Sequence, residues 1–168
     1  MNIETILVPT DFSENADRAF ATAIQFARAF DARIQLLHVY DISDTTTIYE
    51  VTFPTGVVDG IRKAASVRLE ALKKQAKDEG IESSAELVFG SPSQTIVEHA
   101  KGSEVDLIVM GTRGHSLLKQ FFLGSVAERT LRLAPCPVLT VSPTKSDDEK
   151  TRAECKEGPN MSRRSGRG

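Results

Sequence analysis

Fifteen residues from Gly111 to Ser125, GTRGHSLLKQFFLGS, carry the side chains and spacings that could do chemistry in this chain. Gly111 and Gly114 let the backbone turn tightly and approach a ligand with no side chain between. Gly124 and Ser125 stand at the start of a helix, where free N–H groups and the positive dipole end suit a phosphate. The Ser125 hydroxyl is either an added donor or simply the helix N-cap. Arg113, His115 or Lys119 would supply charge from the intervening residues. The spacing is G-x-x-G, then nine residues, then G-S, so neither the Walker pattern G-x-x-x-x-G-K-[ST] nor the dinucleotide pattern G-x-G-x-x-G is present. Glycines also end strands and cap helices. Local physics therefore leaves a ligand loop and plain chain punctuation both open.

The elements that must position this stretch follow from hydrophobic periodicity. IETILV at 3–8 is a short apolar strand, and Pro9 stops further pairing. Asp11 falls in the next loop, and Ser13 caps a helix over about 14–30, with Ala16, Phe20, Ala23, Ile24, Ala27 and Phe30 at helical spacing. A second strand covers about 33–40. Residues 41–57, rich in Thr, Asp and β-branched types, read as a long loop. A helix over about 58–79 ends at Gly80. After a third strand at about 82–89, Ser91, Pro92 and Gln94 have the pattern of a capping box for a helix over 92–101. Residues 105–110 are nearly all apolar, as in a strand buried on both faces. A helix at about 125–133 and a strand at 137–142 complete the order. Strands alternating with helices predict a mostly parallel sheet covered on both faces, with right-handed crossovers. In such a sheet ligands bind beyond the carboxyl ends of the strands, and Pro9-Thr10-Asp11, Val39-Tyr40 and Gly111 with Gly114 all fall there.

Composition narrows the function classes. The chain has 168 residues, 40% of them hydrophobic, enough for one domain with a real core. Its 21 basic and 23 acidic residues nearly balance, so nothing draws it globally to nucleic acid or to acidic membranes. Cys136 and Cys155 make no disulfide framework; Cys136, between two prolines in an apolar segment, is expected to be buried. His38, His99 and His115 show no metal-ligand spacing with them. No leader is recognisable in MNIETILVPTDF, and no apolar run approaches the roughly 20 residues that span a bilayer. A cytoplasmic location is the expectation. The tail SPTKSDDEKTRAECKEGPNMSRRSGRG is polar and expected to be disordered. Its three terminal arginines read as a solvated end rather than a nucleic-acid contact.

Taken together, the quoted segments resemble the universal stress protein family. Gly111-x-x-Gly114-(nine residues)-Gly124-Ser125 is similar to its nucleotide-binding signature. ILVPTDFS at 6–13, LLHVY at 36–40, GSPSQTIVEHA at 90–100 and APCPVLTV at 134–141 are similar to its other conserved segments, in order over residues 1–142. The resemblance implies a doubly wound α/β domain over 1–143, with five parallel strands in the order 3-2-1-4-5 and helices on both faces; 144–168 is the polar tail. It implies the ATP-binding branch of the family, with nucleotide at the switch between strands one and four. Pro9, Thr10 and Asp11 would line that site, Asp11 accepting from a ribose hydroxyl or the adenine region. The Val39 backbone would meet the adenine edge, Met110 would pack on the nucleoside, and Gly111 would close over ribose or phosphate. Gly114, Gly124, Ser125 and the Val126 amide would hold phosphates, with Arg113 or His115 near the phosphate chain. Each has a plainer role: Asp11 as a cap of the first loop, Met110 as core, His38 as a satisfied strand histidine. His99 falls on a helix away from the crevice.

The family resemblance further implies ATP as ligand, with Mg²⁺ or Mn²⁺ accompanying it, and a homodimer through the exposed fifth strand. Hydrolysis needs a positioned water and stabilisation of the transferred phosphoryl group. The sequence offers a phosphate cradle but no general base facing it. The expected function is an ATP-binding protein with a regulatory or stress-response role and slow hydrolysis at most, with no catalytic residue assigned. The alternative is a dimeric protein–protein interaction module without functional nucleotide. A flavoprotein-like or nucleotidyl-transfer enzyme is a third reading, based on architecture alone.

Overall fold

The computed structural model describes residues 2–40, 55–112 and 123–142. Five strands and four helices alternate: β1 (Thr5–Pro9), α1 (Glu14–Phe30), β2 (Arg33–Tyr40), α2 (Thr55–Asp78), β3 (Ser83–Phe89), α3 (Pro92–Gly102), β4 (Leu107–Gly111), α4 (Ser125–Leu133) and β5 (Val138–Val141). All pairings are parallel, in the order β3-β2-β1-β4-β5. The chain order reverses at β1, whose neighbours are β2 and β4. The expected doubly wound sheet and its strand order are therefore observed.

Side-chain alternation sorts the core into two layers. Ile6, Val8, Ile34, Leu36, Leu107 and Val109 pack with Phe20, Ile24 and Ala27 of α1 and with Ala65, Leu69 and Ala76 of α2. Leu7, Leu37, Ile108 and Met110 face the other way, onto Ile96 and Ala100 of α3 and Ala127 of α4. Ile6, Leu7 and Val8 are wholly buried because β1 is central and both its faces are covered. The edges differ. Every residue of β5 is only half-buried, and β3 alternates between partly and fully exposed positions.

Local signals set most boundaries. Ser13 caps α1 as expected, its Oγ accepting from the Ala16 amide at 3.3 Å. α1 ends on Asp31 in the left-handed region (φ 56°), its N–H donating to the Ala27 carbonyl. Gly80, at φ 78°, closes α2 as expected. The Ile81 amide returns to the Ala76 carbonyl at 2.9 Å. At the opposite end of the sheet, Asp106 Oδ2 accepts from the amides of Glu4 and Thr5, both at 2.9 Å, fastening the start of β4 to the start of β1.

Three expectations need correction. α2 begins at Thr55, so residues 55–57 are helical rather than loop; residues 41–54 lie outside the described residues. Ser91 and Pro92 open α3 as expected, yet Ser91 makes no side-chain cap bond. The Gln94 side chain is turned along the helix instead, its Nε2 donating to Glu98 Oε1 one turn on at 2.9 Å. Cys136 is half-buried rather than buried, because it leads into the edge strand. Its thiol packs against the α3–α4 layer. Burial pushes that thiol above its ordinary range, and the nearby Asp106 charge adds to the effect.

Candidate functional site

β1 and β4 lie side by side, so the turns that follow them share one corner of the carboxyl edge. The turn after β1 is bonded to β2 and within itself. The Thr10 amide donates to the Leu37 carbonyl at 2.9 Å. Thr10 Oγ1 accepts from the Phe12 amide at 3.0 Å, and Asp11 Oδ1 accepts from the Ser13 amide at 3.0 Å. Asp11 thus shapes its own turn, in the manner of an Asx-turn. Phe12 holds φ at 63°, a region costly for a bulky side chain. Its ring is buried against His38, with centroids 4.4 Å apart. The Arg68 guanidinium lies over the same ring, 4.5 Å from its centroid.

The turn after β4 is built differently. The Thr112 amide donates to the Val141 carbonyl at 3.0 Å, and the Gly124 amide donates to the Thr112 carbonyl at 2.8 Å. That second bond brings the two ends of the glycine-bearing stretch together and sets the start of α4 at the end of β4. Gly124, not Ser125, is the N-cap, and it contributes no side-chain cap bond. Its φ of −61° and ψ of 148° are open to any residue, so its backbone conformation does not require glycine. Ser125 is the first helical residue and is exposed.

Gly111 has a packing reason of its own. A Cβ there would stand 3.0 Å from the Asn15 carbonyl carbon and 3.1 Å from its oxygen. The first turn of α1 rests directly on the end of β4, and any side chain there would have to displace the Asn15 backbone by a few tenths of an ångström.

Of the residues singled out in the sequence, Pro9, Thr10, Asp11, Gly111, Gly124, Ser125 and Val126 come to this corner. Val39 lies near the end of β2, half-buried against the α3–α4 layer. Met110 is a core residue of that layer, 5% exposed. Arg113, Gly114 and His115 lie outside the described residues. His99 packs away from the corner, its Nε2 3.1 Å from Gln35 Oε1 and its Nδ1 3.5 Å from Glu86 Oε2. His38 is held by a backbone carbonyl, with Nδ1 2.7 Å from the Thr10 oxygen.

Sequence reasoning passed over Asn15, Thr112 and Arg68. Nothing local marks any of them, since each matters through a partner from a distant element. Among the described residues no group of three or more His, Cys, Asp or Glu side chains could hold a metal, and no helix is long and apolar enough to cross a membrane.

An open parallel sheet whose order reverses at β1, with the starts of α1 and α4 at that reversal, defines a doubly wound α/β protein. The universal stress protein family model matches residues 2–142, and the chain belongs to that family. It is 35% identical over 142 residues to the universal stress protein MJ0531 of Methanocaldococcus jannaschii, covering 84% of each chain. The solved structure of MJ0577 from that organism superposes with a TM-score of 0.77 at 32% identity, over 86% of this chain and 99% of that one. A universal stress protein solved in complex with cAMP matches with a TM-score of 0.63 at 26% identity, over 84% of this chain and 98% of the other.

Proposed function

We propose that this protein binds adenine nucleotide, ATP foremost, across the β1–β4 corner, and serves a regulatory or stress-response role in the cytoplasm. The observation that carries the proposal is the meeting of a pre-shaped β1–α1 turn with an α4 start whose N-cap is a glycine. A phosphate would complete the N–H groups that the Gly124 side chain cannot cap. Gly124, Ser125 and the Val126 amide hold the phosphates in this reading, together with Gly114 and one of Arg113 or His115. Asp11 faces the ribose or adenine end, with Pro9 and Thr10 beneath it. The Val39 backbone and Met110 line the nucleoside side, and Gly111 brings the strand end close. A Mg²⁺ or Mn²⁺ ion arrives with the nucleotide. The relative solved with cAMP supports an adenine nucleotide as the ligand class.

The chemistry is binding rather than fast turnover. Asp11 belongs to the β1 turn, with Oδ1 engaged by the Ser13 amide, and is assigned to the nucleoside end, not to a water at the terminal phosphate. Acid release of whatever co-purifies with the full chain, identified by mass spectrometry, should yield adenine nucleotide near one per chain. An empty protein that also fails to take up ATP with Mg²⁺ in titration would overturn the proposal. A turnover above about 1 s⁻¹ would overturn the non-enzymatic part.

A second reading is favoured by β5, whose four residues are half-buried at the sheet edge. A homodimer pairing through this strand would cover them. Val141→Lys should then convert dimer to monomer in sedimentation; an unchanged dimer would sink that interface.

A further inference from the structure

Two side chains far from the glycine stretch hold the backbone carbonyls of Thr10 and Phe12, the residues on either side of Asp11. His38, from β2, holds the Thr10 carbonyl at 2.7 Å. A carbonyl only accepts, so Nδ1 carries the proton. Arg68, from α2, donates through Nη2 to the Phe12 carbonyl at 3.1 Å. Both also contact the Phe12 ring: the His38 ring is tilted against it at 33°, and the Arg68 guanidinium lies over it. Phe12 is 9% exposed and stays at a φ of 63°. A non-glycine residue persists in such a conformation only where its surroundings over-determine it. Here the Phe12 amide is engaged by Thr10 of its own turn, its carbonyl by Arg68 of α2 and its ring by His38 of β2.

The geometry points to Arg68 and His38 as positioning residues that set the direction of Asp11, and so the affinity for the nucleoside end of the ligand. The proposal rests on the nucleotide reading above. Thr10 Oγ1 and His38 fix the peptide planes on both sides of Asp11; Arg68 fixes the residue after it. Asp11 cannot swing without breaking this brace. α2 is thereby linked to the ligand corner through an exposed arginine, although no residue of α2 belongs to the glycine stretch.

The test is a double-mutant cycle on the full chain, read by calorimetric titration with ATP and Mg²⁺, with melting temperature recorded for each variant. Arg68→Met keeps the length and apolar stem of the side chain but loses the donor and the charge. It should weaken ATP by about tenfold, the loss of roughly one 1.4 kcal/mol interaction. Arg68→Lys should recover part of that, since it keeps a cation over the ring. His38→Asn retains a donor near Nδ1 and should fall less than His38→Leu. In an Asp11→Ala background, Arg68→Met should cost less than about twofold, because its effect runs through Asp11. Wild-type affinity in Arg68→Met, or the same tenfold fall with Asp11 already removed, would overturn the brace while leaving the nucleotide reading intact. A wild-type protein that takes no ATP would overturn both.

Discussion

Two helices start at the carboxyl edge beside the switch point, α1 after β1 and α4 after β4, and they start in opposite ways. α1 is closed by its own chain: Ser13 Oγ takes the Ala16 amide, and Glu14 and Asp17 answer the dipole in the first turn. α4 opens on a glycine with no side-chain cap, and its first turn holds one acid, Glu128, where that of α1 holds two. The two glycines of this corner differ as well. Gly111 is crowded by the Asn15 backbone pressed against it, whereas the backbone of Gly124 is in a conformation any residue adopts. One corner is therefore finished within the protein, and the other has no side-chain cap and, in the nucleotide reading proposed above, receives the phosphates.

The largest effect should come from filling the finished corner. Gly111→Val drives a side chain into the first turn of α1 and should cost about 2–3 kcal/mol, as overpacking does. Thermal unfolding would show a fall of several degrees; an unshifted melting temperature would mean that α1 does not rest on β4 in solution. Gly124→Val should do the reverse, lowering ATP affinity by more than about tenfold while costing no more than about 1 kcal/mol of stability. Equal losses of stability in the two variants would erase the distinction between the corners. Gly124→Asp sharpens it further. A capping carboxylate should raise the stability of the free protein by about 0.3–0.5 kcal/mol and exclude phosphate by charge. A variant that melts higher and still binds ATP would break the assignment of the α4 start.

The smallest effect lies at the other end of the sheet and serves as the control. The Cys136 thiol is held above its ordinary value of 9.0 by burial and by Asp106. A raised folded-state value means that the native protein keeps the proton longer than the unfolded chain. Its contribution is complete below the unfolded value and is lost as pH rises through the folded one. Stability should therefore decline slightly above pH 9, and Cys136→Ala should flatten that decline without changing ATP affinity. A shift in affinity would show that the two ends of the sheet communicate.

Much of this molecule was legible along the chain wherever the cause of a feature lies within a few residues of it. The Ser13 cap needs only Ala16, and the stop of α2 needs only Gly80. The same locality explains the failed capping box at Ser91. The i, i+4 spacing of Gln94 and Glu98 lets the Gln94 amide donate along the helix, and that pairing is as local as the capping box it replaced. Cys136 was misjudged because its exposure depends on β5 standing at the edge, which a burial preference for cysteine does not contain.

Periodicity and turn residues along the sequence were sufficient to determine nine elements in their right order, a parallel sheet covered on both faces, and a glycine-flanked stretch at the carboxyl edge. Those signals arise from neighbours at fixed short separations, so they survive without knowledge of the fold. Tertiary structure alone decided which distant residues meet at the corner. Asn15 meets Gly111 because β1 pairs with β4, and Arg68 meets Phe12 because α2 packs across the face that α1 also covers. Such contacts depend on strand order and helix placement, and those are settled only when distant segments of the chain bury one core together.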